Sequence, residues 1–298
     1  MSEKQSRRKV IKNLLAGTAL LGASSSVKAF SYNKKDTPLA ILHGNINHAV
    51  CRWCYGFLSV DELCQAVRAI GFDAIDLVGP KDWPTLKKNG VFSSMCNGAE
   101  INLVDGFAEK NFHPVLIKNY TEMIPLVAEA GYKNLICFSG NRRGMDDETG
   151  LKNATDGLKQ IMALAEKHNV MIQMELLNSK IDHKDYMCSK SAWGVELVKR
   201  VGSENFKLLY DIYHMQIDEG DVIRTIRDNH QYFGHYHTGG VPGRHEIDDT
   251  QELYYPAIMK AILATGFKDF VAQEFIPTGA TTDDKLAALK TAVYTCDV

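Results

Sequence analysis

Beyond residue 38, short apolar runs alternate with longer stretches whose apolar positions recur every three or four residues. The short runs cover residues 39–46, 73–78, 91–95, 134–139, 170–176, 207–212, 233–238 and 269–275. Each reads as a strand buried on both faces, the pattern of a parallel sheet covered by helices. Between them, Ser59-Val60-Asp61-Glu62 opens a helix with a capping box, and that helix ends at Gly71. Helical spacing also covers 113–131 and 149–168, with Leu158, Ile161, Met162 and Ala165 as the apolar stripe of the latter. Residues 255–266 and 283–293 supply the last two helices, and a short one is expected around 83–89.

One small unit repeats: a helix stops at Gly, an aromatic follows, and a strand begins, at Gly71-Phe72, Gly131-Tyr132 and Gly266-Phe267. Glycine suits the left-handed backbone at a helix C-terminus. Eight strand–helix units with right-handed crossovers close into one barrel, so the expected fold is α/β, a single (β/α)8 TIM barrel. An open doubly wound sheet is the alternative. No glycine-rich phosphate loop follows a strand to favour it.

Residues 1–29 are set apart as a targeting segment. Arg7 and Arg8 form a twin-arginine start, residues 13–23 are apolar but too short to span a bilayer, and Val27-Lys28-Ala29 reads as a cleavage site. The barrel domain is then 30–298 and its expected home is the periplasm. No cysteine stands at the exit, so no lipid anchor, and no stable membrane anchor after cleavage, is expected. A formal net charge of −2 with no basic, aromatic-interleaved cluster argues against nucleic acid as a partner. The seven cysteines include Cys51 and Cys54 at CxxC spacing without a second pair. Two thiols are favoured there over a disulfide.

Candidate chemistry lies at the C-terminal ends of the strands, where barrel active sites form. The fifth apolar run leads into Glu175, the sixth into Asp211, the seventh ends on His237 and the eighth leads into Glu274. Buried carboxylates converging on one rim repel one another unless a cation joins them. An oxygen-rich set with one imidazole suits one divalent metal ion, Mn²⁺, Mg²⁺ or Co²⁺, with Zn²⁺ as a further option. Salt bridges closing the rim are the structural alternative. His235 shares a strand face with His237 and is either the ligand or a hydrogen-bonded neighbour; His237 lies nearer the strand end. Trp53 and Tyr55, after the first strand, are candidate pocket walls.

The stretch from Tyr210 to Gln216 (YDIYHMQ), with Glu219-Gly220, resembles the sixth-strand signature of hydroxypyruvate isomerases. Pro242-Gly243-Arg244-His245-Glu246, Glu252-Leu253-Tyr254-Tyr255 and Glu274-Phe275-Ile276-Pro277 extend the resemblance over the chain from about residue 39 onward. The resemblance places the chain among xylose isomerase-like barrels, which include ketose 3-epimerases. It implies that Glu175 and Glu274 are the acid/base pair as well as metal ligands, with Asp211 a third ligand. The fourth position falls on His237, where hydroxypyruvate isomerases usually carry Gln and ketose epimerases carry His. Glu175-Leu176-Leu177-Asn178 likewise replaces a common E-P-I-N.

The expected reaction removes a proton beside a carbonyl to give a cis-enediolate and returns it to the neighbouring carbon, or to the opposite face for epimerisation. His214, read as lying in the loop after the sixth strand, and Arg244, in a Pro-Gly loop over the rim, are expected to bind substrate. The bland alternative for Arg244 is a surface pair with Glu246 or Asp248. The expected partner is a small-molecule keto acid or sugar, and a homo-oligomer is compatible. Three functions follow: a hydroxypyruvate isomerase converting hydroxypyruvate to tartronate semialdehyde, a ketose 3-epimerase or related enzyme on a larger carbohydrate, and a non-catalytic sugar-binding barrel.

Overall fold

A computed structural model describes residues 41–298. The expected leader, residues 1–29, lies outside them. Eight parallel strands form a closed barrel in chain order: β1 (Asn47–Cys51), β2 (Ala74–Val78), β3 (Phe92–Cys96), β4 (Asn134–Cys137), β5 (Met171–Glu175), β6 (Phe206–Asp211), β7 (Phe233–Thr238) and β8 (Phe270–Gln273). β1 pairs with both β2 and β8, which closes the ring. The helices are α1 (Val60–Ile70), α2 (Trp83–Lys88), α3 (His113–Glu129), α4 (Asp147–His168), α5 (Ser191–Val201), α6 (Ile212–Asp218), α7 (Val222–Asn229), α8 (Tyr255–Ala264) and α9 (Thr282–Cys296). Among the described residues no helix is long and apolar enough to cross a membrane.

The local rules act as written in the sequence. Ser59 accepts from the Glu62 amide while the Glu62 side chain accepts from that of Ser59, completing the capping box of α1. Gly71, Gly131 and Gly266 take φ of 119°, 82° and 82°, the left-handed region that glycine occupies without a Cβ penalty. Leu158, Ile161, Met162 and Ala165 are the buried face of α4.

One strand differs from expectation. β1 is Asn47–Cys51, whereas the apolar run at 39–46 is not a strand over its described part, and Ile41 there is 92% exposed. The true strand begins with Asn47 and His48, which hide it from a hydropathy reading. His48 tolerates burial because Asp297, from the C-terminal end, lies 3.4 Å from its Nε2. The segments between β5 and β7 hold α5, α6 and α7, which the apolar spacing did not announce. α6 begins immediately after Asp211, whose carboxylate caps it by accepting from the His214 amide at 3.1 Å. His214 therefore stands in the first turn of a helix, not in a loop. All seven cysteines are free and buried, Cys51 and Cys54 included.

Candidate active site

Glu175 ends β5, Asp211 ends β6, His237 lies in β7, and Glu274 follows β8, its amide still donating to Thr238 O at 2.9 Å. Parallel register therefore brings all four to one rim. Each is buried, and one ligand atom from each lies within 4.8 Å of the others. His237 Nδ1 is 3.1 Å from Glu175 Oε1 and 2.7 Å from Glu274 Oε2.

Arg244 enters the same cluster. Its Nη2 lies 3.2 Å from Asp211 Oδ2 and also meets Glu274 Oε2, while Nε donates to Glu274 O at 3.3 Å. The expected alternatives for it, Glu246 and Asp248, are not its partners: Glu246 accepts from the amide and hydroxyl of Thr278. The Arg244 loop turns through positive φ at Gly243 and at Arg244 itself. A Cβ at Gly240 would collide with the Glu246 carbonyl, so the loop closes tightly on its own backbone. The guanidinium lies over the rings of Trp53 (5.2 Å) and Tyr213 (5.4 Å).

Trp53 does more than line a wall: its Nε1 donates to Glu274 Oε1 at 2.7 Å. Tyr55, by contrast, is fully buried with its ring 5.7 Å from that of Phe57, a packing role. His214 Nδ1 is 2.6 Å from Asn178 Nδ2, which donates to it. That hydrogen bond leaves the proton on His214 Nε2, which has no partner and lies 3.6 Å from Asp211 Oδ2. Burial, with the nearby Arg244 charge, holds His214 well below its ordinary pKa. It is a neutral imidazole with a free donor at the rim.

The carboxylates diverge in a way their surroundings explain. Burial, then the Glu274 charge, raises Glu175; burial also pushes Asp211 well above the carboxylate range. Glu274 is held well below it, because Arg244 and His237 outweigh its burial. Three acidic groups thus share less positive charge than full ionisation would need.

His235 stands outside the group of four; its Nε2 is 2.5 Å from Asp76 Oδ2. The sequence reading did not single out Asp76, nor the role of Asn178. The signal for Asp76 was a carboxylate placed inside an apolar strand, which only a partner across the barrel makes affordable.

The sequence pattern of the xylose isomerase-like TIM barrel family matches residues 64–292. The chain belongs to this family. A 2-oxo-tetronate isomerase of Cupriavidus necator is 32% identical over 118 residues, 40% of this chain and 45% of that one. A putative hydroxypyruvate isomerase of Homo sapiens is 27% identical over 128 residues, 43% and 46% of the two chains. In both cases the match spans under half of the relative's length. A 2-oxo-tetronate isomerase of Pectobacterium atrosepticum is 24% identical over 230 residues, 74% of this chain and 87% of that one. Among solved structures, D-psicose 3-epimerase with D-tagatose from Clostridium cellulolyticum superposes with a TM-score of 0.67 at 18% identity, covering 85% of this xylose isomerase-like chain and 100% of that one. At such identity the likeness shows the fold.

Proposed function

We propose that this xylose isomerase-like barrel is a metal-dependent isomerase of small 2-keto acids, hydroxypyruvate isomerase-like, with Glu175 and Glu274 as its proton-transfer pair. The observation that carries the reading is two buried glutamates sharing one cluster with the half-buried Arg244 guanidinium. The glutamates supply acid/base chemistry, and the Arg244 fork suits a substrate carboxylate. Relatives named as isomerases of hydroxypyruvate and 2-oxo-tetronate support the same class.

The donor set fits a divalent cation. Three carboxylates and one imidazole nitrogen converge, all buried, with less neighbouring positive charge than they require. Glu175, Asp211, His237 and Glu274 would hold the ion, which would polarise the substrate carbonyl and acidify the adjoining C–H. Glu175 takes the proton from the hydroxyl-bearing carbon and returns it to the former carbonyl carbon, while the hydroxyl proton passes to the former carbonyl oxygen, which isomerises the substrate. Glu274 serves the opposite face, its Oε1 steadied by Trp53 Nε1. His214 offers its Nε2–H to a substrate oxygen, and Arg244 orients the carboxylate end.

A second reading, a ketose 3-epimerase, is favoured by His237 at the fourth ligand position and by the Trp53 and Tyr213 rings, whose faces suit a sugar. Solvent-proton exchange in D₂O separates the two. Mn²⁺-loaded protein is expected to exchange hydroxypyruvate or 2-oxo-tetronate, and Arg244→Ala to raise KM for the acid about 10- to 100-fold, the loss of a charge-assisted pair. Exchange confined to uncharged ketoses would establish the epimerase reading instead.

Export belongs to the same proposal, supported by Arg7 and Arg8 ahead of the apolar run 13–23. Cell fractionation is expected to recover the protein from the periplasm, and replacing both arginines by lysine to retain it in the cytoplasm. Equal periplasmic recovery of both forms would contradict a twin-arginine route.

A further inference from the structure

Beneath the rim, on β2, lies a carboxylate that the proton-transfer chemistry above does not use. Asp76 is fully buried. Its Oδ2 accepts from Ser94 Oγ at 3.1 Å and faces His235 Nε2 at 2.5 Å. Its Oδ1 has no hydrogen-bond partner among the described residues and lies 3.7 Å from His237 Nε2, an ion-pair rather than a hydrogen-bond separation. The two imidazoles meet edge to face at 5.3 Å, so one carboxylate faces both from beneath.

His237 thus has two dissimilar sides. Nδ1 faces Glu175 and Glu274, and Nε2 faces Asp76 Oδ1 and Cys51 Sγ, the latter at 3.8 Å. Of these two groups on the Nε2 side, the Cys51 sulfur is a weak acceptor, whereas Asp76 Oδ1 is a buried carboxylate oxygen with no other partner among the described residues. A proton on Nε2 therefore faces the unpartnered Asp76 oxygen. In the metal-free protein Nδ1 donates to Glu274 at 2.7 Å and also lies 3.1 Å from Glu175, and an ion bound there would displace that proton and leave the one on Nε2.

We infer that Asp76 is a positioning residue: its buried carboxylate holds a proton on His237 Nε2, so that Nδ1, beside Glu175, Asp211 and Glu274, is the nitrogen that would give up its proton to the ion. This rests on the metal reading above and extends it below the four ligands. A carboxylate behind a ligating histidine fixes its tautomer and raises its basicity. His235 and Ser94 act one step further back, holding Oδ2 so that Oδ1 stays aimed at His237.

Asp76→Asn keeps the shape and removes the charge. The metal-free variant is expected to keep the wild-type circular dichroism spectrum but bind Mn²⁺ about 10- to 100-fold more weakly, read by competition with a fluorescent chelator. In wild-type protein labelled with ¹⁵N-histidine and loaded with Zn²⁺, His237 (assigned through His237→Gln) is expected to be protonated at Nε2 and metal-shifted at Nδ1. That spectrum needs no Asp76 variant and decides the matter even if Asp76→Asn does not fold. An unchanged Mn²⁺ affinity in folded Asp76→Asn, or a His237 protonated at Nδ1, overturns the role of Asp76 while leaving the metal site standing. A wild-type protein that takes up neither ion overturns the metal reading and this inference together.

Discussion

Replacing Glu175 by glutamine is expected to lower D₂O exchange about 10³-fold at saturating Mn²⁺, within the usual range for loss of a positioned general base. Glutamine keeps an oxygen that can face the cluster but cannot accept the substrate proton. The same loss is expected for Glu274→Gln, whose carboxylate is oriented by Trp53 Nε1 and the Arg244 guanidinium. Because both residues also stand among the proposed ligands, bound Mn²⁺ is measured alongside exchange. A fully loaded Glu175→Gln protein whose exchange stays within tenfold of wild type would remove Glu175 from the proton-transfer role.

The second large effect is removal of the metal. Stripping with EDTA is expected to abolish exchange and, relative to protein at about a 1,000-fold excess of Mn²⁺ over Kd, to cost about 4 kcal/mol. For a domain of this size that is a fall of about 10 °C in Tm. The loss is expected to grow with pH. Glu175 and Asp211 have raised values in the folded state, chiefly through burial, so their favourable contribution is complete below the ordinary carboxylate range. It is lost as pH rises through those raised values. Glu274 runs the other way: it is depressed, so its contribution is present above the ordinary range and lost as pH falls through its folded value. From mildly acidic to neutral pH the Glu274 contribution is already complete, so Glu175 and Asp211 set the slope and the stripped protein loses stability. Bound metal holds all three carboxylates ionised and removes that slope. Calorimetric scans with and without Mn²⁺ at pH 5 and 8 test this; a metal-induced Tm shift that is absent, or larger at pH 5, would contradict it.

The legible part of the site was the part written as a strand followed by an ionisable residue. Glu175, Asp211 and Glu274 each close or directly follow a buried run, so barrel geometry alone sends them to one rim. Trp53 was legible as an aromatic after the first strand, but its hydrogen bond to Glu274, 221 positions away, was not. His214 was placed in a loop because the helix it opens is capped by Asp211, a residue that reads as a ligand rather than as a helix start. The first strand was misplaced because it opens on an exposed Asn47 and on His48, whose burial is matched by Asp297 from 249 positions away.

Alternation of apolar and polar positions is a property of neighbouring residues, and it determined seven of the eight strands, the barrel and the four rim residues. Closure and register decided the rest. They set Asp76 against His235 across 159 positions and behind His237, and brought Arg244 onto Asp211 and Glu274. Those meetings depend on which strands become neighbours and on how a loop folds back over the rim. Local periodicity carries no record of either, so the carboxylate beneath the site emerged only from the folded chain.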